Sequence, residues 1–138
     1  MDTITEKEEA IIDEFSIYDD WMDKYEYIIE LGKDLPLIDD DQKTEDKLIK
    51  GCQSRVWLSA EKRDGKMKYT ADSDAIITKG IIALLIRVLN NEKPEDIAKA
   101  ELRFIKAIGL QEHLSPTRSN GLVSMVKQMK MNALKQVS

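Results

Sequence analysis

The stretch from Ala75 to Leu89, AIITKGIIALLIRVL, constrains this chain more than any other. Its isoleucines, leucines and valine fall on every side of a helix, and Ser73 or Asp72 is placed to cap the start. A helix that is apolar nearly all round must be surrounded by the rest of its domain. It is no membrane span, because it is shorter than the roughly 20 apolar residues required and contains Lys79 and Arg87. The rest of the chain therefore has to wrap it. With 138 residues, 42% of them hydrophobic, and only three prolines and six glycines, residues 1–138 are expected to form one domain with one core.

The wrapping elements are legible from their periods. Thr5-Glu6-Lys7-Glu8 reads as a capping box ahead of a short helix with Ile11, Ile12 and Phe15 turned inward. Tyr18, Trp21, Met22, Tyr25, Ile28 and Ile29 form one helical stripe, which should stop near Gly32, before Leu35-Pro36. Residues 39–46 are charged and lack a period, as in a loop with room for a short helix. Val56, Leu58 and Ala60 then alternate with polar neighbours, Asp64-Gly65 marks a hairpin, and Met67, Tyr69 and Ala71 alternate on the return. Residues 47–50 suggest a further short strand. Pro94 suits the first turn of a short helix, Gly109 a helix stop, and Ser115-Pro116 the start of a last helix carrying Leu122, Val126, Met129, Ala133 and Val137. The expected class is α+β, a small antiparallel sheet of about three strands packed against several helices.

Charge and cysteine usage remove several function classes. Residues 1–46 carry 17 acids and 4 bases, while the remainder carries 9 acids and 17 bases. An acidic front argues against coating nucleic acid, and the bases behind it are spread over several elements. One cysteine excludes an internal disulfide and a two-cysteine redox cycle, and one histidine makes a metal site unexpected. No basic stretch followed by an apolar one opens the chain, so a soluble cytoplasmic protein is expected.

Cys52 is the one residue with strong nucleophilic potential. A lone cysteine is commonly a small buried hydrophobe. Its neighbours argue otherwise: Gly51-Cys52-Gln53-Ser54-Arg55 is polar, lies between strand-like runs, and has a glycine for a tight turn and Lys50 and Arg55 to favour thiolate. Cys–His hydrolysis or transfer would require His113, 61 residues on, as the base, and no protease-like pattern surrounds the thiol. The alternative for His113 is a helix-end residue. A thiolate with no obvious base suits sulfur exchange, in which the leaving group is another thiolate and no water is activated.

The run Gly51-Cys52-Gln53-Ser54-Arg55-Val56-Trp57-Leu58 resembles the signature of SufE/CsdE-type sulfur acceptors, the Fe–S metabolism-associated domain. Trp21 to Gly32, Asp72-Ser73-Asp74-Ala75 with Lys79-Gly80, and His113 to Leu122 agree with the same family. The resemblance implies a SufE-like fold and a Cys52 that takes sulfane sulfur, as a persulfide, from a SufS-type cysteine desulfurase. The sulfur then goes to a SufB-containing scaffold for iron–sulfur clusters. It implies no cofactor on this chain, with PLP in the desulfurase only, no nucleic-acid or membrane partner, and a monomer or homodimer. Gly51, Gln53 and Ser54 would shape the loop; Arg55, Trp57, Asp74 and Arg118 would dock the partner or position the loop. Two of them have a plainer alternative: core filling for Trp57, helix capping for Asp74. Lys47 stands where several members of the family have asparagine. A transfer partner is expected more than a self-contained enzyme.

Overall fold

The computed structural model describes residues 3–137. Its centre is the helix that the apolar run requires, α3 (Ile76–Leu89). Only Ile76, Lys79 and Arg87 of that helix escape burial. The preceding elements are α1 (Thr3–Phe15), α2 (Trp21–Leu31), β1 (Val56–Arg63) and β2 (Lys66–Ser73). After α3 come three short helices, α4 (Pro94–Lys99), α5 (Phe104–Ala107) and α6 (Leu110–His113), and a long one, α7 (Pro116–Leu134).

β1 and β2 pair antiparallel from Val56 opposite Ser73 to Arg63 opposite Lys66. Asp64 (φ 55°) and Gly65 (φ 79°) make the turn with two left-handed residues, the conformation that tight hairpins need. Val56, Leu58, Met67, Tyr69 and Ala71 are all buried on the side that meets the helices. Tyr69 also donates its hydroxyl to the Met129 carbonyl of α7 at 2.8 Å, tying sheet to helix.

Four expectations need correction. The sheet has two strands, not about three. Residues 47–50 add one bridge, Leu48 to Trp57, because a 3₁₀ turn (Glu45–Lys47) precedes them and Gly51 turns the chain away directly after. A second bridge joins Leu37 to Ala71 on the other edge. Thr5 does not stand at the helix start: α1 is already under way at Thr3, and the buried Glu8 carboxylate accepts the Phe104 N–H at 2.9 Å. Neither Ser73 nor Asp72 caps α3, whose N-cap is Ala75; the Ser73 hydroxyl accepts the Ala75 N–H one residue too early. Ser115 does cap α7, accepting the Arg118 N–H at 3.2 Å, with Pro116 in the first turn. α7 ends before the exposed Val137.

The tightest joint in the molecule is between α2 and α3. A Cβ at Gly80 would drive into the Ile28 carbonyl, and one at Gly32 would lie 3.0 Å from the Gly80 nitrogen. Backbone meets backbone, so no side chain can yield. Gly80→Ala gains about 1 kcal/mol in helix propensity, but overpacking costs roughly 3 kcal/mol or more where the neighbour is rigid. A net loss of about 2 kcal/mol in denaturant-unfolding free energy is expected; equal or higher stability in the variant would show that the helices can part without penalty.

Candidate functional site

Cys52 is the free cysteine, and it sits half-buried on the loop between Leu48 and β1. Two features set its position. Gly51 has φ +92°, a conformation that a side chain strongly disfavours, and a Cβ there would drive into the Ser124 hydroxyl of α7. The loop is thus folded directly onto α7. On that helix Gly121 faces the thiol: Sγ lies 3.6 Å from the Gly121 carbonyl oxygen, to which the S–H donates. A Cβ at Gly121 would lie 3.5 Å from Sγ, an ordinary contact distance, so the helix backbone packs directly against the thiol.

The thiol opens into a cleft of about 40 Å³. Of the residues singled out in the sequence, Cys52, Gln53, Ser54 and Arg118 are among its lining. Thr78 from α3 and Thr117, Gly121 and Met125 from α7 help to complete it, and these the sequence did not reveal. Gly121 left one trace: a glycine inside a helix costs about 1 kcal/mol relative to alanine, which marks a place where something approaches closely. Burial pushes the Cys52 thiol above the usual thiol range, since desolvation penalises the charged form. The resting site holds a neutral, partly covered thiol.

Asp74 acts across the base of the loop rather than as a helix cap. Its carboxylate accepts the Arg55 N–H at 3.0 Å, and its own N–H donates to the Arg55 carbonyl at 3.3 Å. That pair closes the chain three residues beyond the thiol. The Arg55 side chain is exposed. Trp57 lies away from the cleft, bridged to Leu48, with the Lys43 ammonium 5.5 Å from its ring centre. Lys43 also pairs with Asp72 at 2.7 Å, and Lys79 approaches the same carboxylate at 3.4 Å. Burial by itself would raise the Asp72 carboxyl, but Lys43, the Ser73 N–H and Lys79 together hold it below the usual range. This cluster fixes the segment before the loop to the end of the hairpin.

His113 lies outside the cleft. Its ring stacks on Trp21, centroids 4.3 Å apart and planes 15° apart, and Nδ1–H donates to the Gly109 carbonyl at 2.7 Å. Both partners suit a structural tie between α2 and α6. Among the described residues no group of three or more His, Cys, Asp or Glu is arranged to hold a metal ion. No helix among them is long and apolar enough to cross a membrane.

The fold that carries this half-covered thiol is one that known proteins share. A family model described as the Fe-S metabolism associated domain, SufE, matches residues 9–133. An uncharacterized SufE-like protein of Rhizobium meliloti is 36% identical over 130 residues, 91% of this chain and 93% of that protein. One from Rhizobium etli is 39% identical over 130 residues, covering 91% and 88%. One from Synechocystis is 37% identical over 124 residues, covering 90% and 78%. The solution structure of a hypothetical protein from Thermus thermophilus shares the fold, with a TM-score of 0.77 at 21% identity over 94% of each chain. The chain belongs to the SufE family and is associated with iron–sulfur metabolism.

The covered thiol has a pH signature. Iodoacetamide reacts with thiolate, so the alkylation rate of the native protein should rise with a midpoint above the ordinary value of about 8.5, returning to it in denaturant. Between the two midpoints the native state binds more protons than the unfolded state, so stability falls as pH rises through that window. Identical midpoints would show that the cleft does not cover the thiol. Asp74→Ala removes the acceptor that closes the loop. At this exposed position the hydrogen bond is worth about 1 kcal/mol, so alkylation at fixed pH should speed up roughly fivefold with circular dichroism unchanged. An unchanged rate would show that the Asp74–Arg55 tie does not hold the loop shut.

Proposed function

We propose that this protein accepts sulfane sulfur from a SufS-type cysteine desulfurase, carries it as a persulfide on Cys52, and delivers it to a SufB-containing assembly scaffold. The observation that supports this most is the setting of its thiol. Cys52 has a covered resting position, a hinge residue in a left-handed conformation, and no histidine in its cleft. Hydrolysis would require a base at the sulfur. Sulfur exchange does not, because the attacked atom is itself bonded to a good leaving group.

The step balances without a further reagent. Cys52 attacks the outer sulfur of the desulfurase persulfide; an S–S bond forms on Cys52 and the one on the desulfurase breaks. The desulfurase cysteine leaves as thiolate and takes up the proton that Cys52 gave up. A neutral, covered thiol resists the oxidation that consumes exposed thiolates. Docking of the partner would turn the loop outward, with Gly51 as hinge and the Asp74–Arg55 tie as the restraint to be opened. In this reading Gln53 and Ser54 shape the loop, Arg118 and Arg55 present cations to the partner, and Trp57 anchors the strand behind. PLP belongs to the desulfurase.

Incubation with desulfurase and cysteine should add one sulfur atom, about 32 Da, to the intact protein, and the adduct should be absent in Cys52→Ser. Omitting either desulfurase or cysteine should leave the mass unchanged. Equal labelling of wild type and the serine variant would overturn the proposal.

A further inference from the structure

α7 has a second working face. Its cleft side carries Arg118, Gly121 and Met125. Elsewhere on the helix, Val123, Val126, Met131 and Leu134 line a separate groove of about 480 Å³, whose opposite wall includes Ala98 and Ile105. Val123, Met131 and Leu134 are 52%, 43% and 62% exposed. They recur at helical spacing along one side, so the exposure is a stripe and not scatter. From Leu122 to Leu134 the groove runs about 18 Å, at about 1.5 Å per residue, which matches a docked helix of some three turns.

The charge around the stripe selects the occupant. Among the residues that line the groove, Lys127 and Lys130 are the charged ones and no side chain is acidic. Lys130 is committed to the Ala100 carbonyl and braces the far wall, while Lys127 is exposed at the rim. A second α7 would bring like charges together across the seam, which disfavours a symmetric pair. A bilayer is flat, whereas this surface is a groove formed between α7 and a wall that includes Ala98 and Ile105. We propose that the α7 groove docks an amphipathic helix of a partner protein, with apolar residues at i, i+3/4 and i+7 and carboxylates flanking them. Such docking does not depend on Cys52 or on sulfur transfer. Helix-in-groove recognition supplies affinity from the apolar anchors and orientation from the rim charges.

The test uses two fluorescein-labelled synthetic helices of equal length with the same leucine stripe, one flanked by glutamate and one by lysine. Anisotropy titration of the full chain should show the glutamate helix binding at least about tenfold tighter, an advantage that shrinks as salt screens the rim. Amide chemical-shift changes should follow residues 122–134 of α7. Met131→Glu and Leu134→Glu, both exposed and therefore neutral to folding, should each abolish binding; neither touches the Cys52 cleft, so desulfurase-dependent labelling of Cys52 serves as an independent readout. Equal affinity for the two helices, shifts that map elsewhere, a dimer broken by Met131→Glu in sedimentation, or tighter binding to phosphatidylglycerol vesicles than to the glutamate helix would each overturn the proposal.

Discussion

Burying a helix that is apolar on nearly every face is the constraint on which the rest of this structure depends. α3 lets only Ile76, Lys79 and Arg87 escape burial, and two of those are tied down: Arg87 to Glu14 of α1, Lys79 to Asp72 at the hairpin's end. Enclosing α3 requires helices on several sides and a sheet on another, which uses most of the chain. The crossing with α2 is so close that glycine is required at Gly80, and the neighbouring glycine at Gly32 lets α2 end in a 3₁₀ turn against it. A rigid centre results, and Thr78 of α3 then offers a fixed surface to the Cys52 cleft.

The Cys52 loop sits at the edge of this rigid body. The loop bearing Cys52 has its far end in β1 and its near end at the Leu48 bridge, so only its tip has freedom. Two weak ties hold the tip: the S–H to the Gly121 carbonyl and the Arg55 amide to Asp74. An ordinary hydrogen bond is worth on the order of 1 kcal/mol and an S–H donor less, so the two ties favour the covered position only modestly. Glycine appears on both sides of the thiol, at Gly51, where the left-handed turn and the Ser124 hydroxyl leave no place for a side chain, and at Gly121, where the α7 backbone meets the sulfur at contact distance.

The charge asymmetry of the chain finds an ordered expression. Acids of the front half are used as ties as well as solvated surface: Glu8 to the Phe104 amide, Glu14 to Arg87 and Tyr27, and Asp40, alongside Asp72 of the hairpin, to Lys43. The bases of the last helix have no such partners among acids of their own helix, since it has none. The groove and the cleft that holds the thiol both draw lining residues from α7, so one element carries the two proposed sites.

The sequence by itself determined the class of fold, the central helix, the hairpin and the residue proposed to carry the chemistry. These are local properties: a 3.6-residue or two-residue period, an Asp-Gly turn, a proline after a serine cap, a glycine beside a lone thiol. The SufE resemblance was legible in four short motifs for the same reason, since each is continuous in the chain. Only the tertiary structure decided what closes the site. Gly121 and Ser124 meet the loop from about seventy residues away, Asp74 caps nothing and instead holds the Arg55 amide, and His113 stacks its ring on Trp21. It also decided that residues 47–50 contribute one bridge and no full strand, because the turns on either side leave no length to pair. Such contacts depend on where elements cross, and a crossing is set by the packing of faces around α3, which no window of sequence contains.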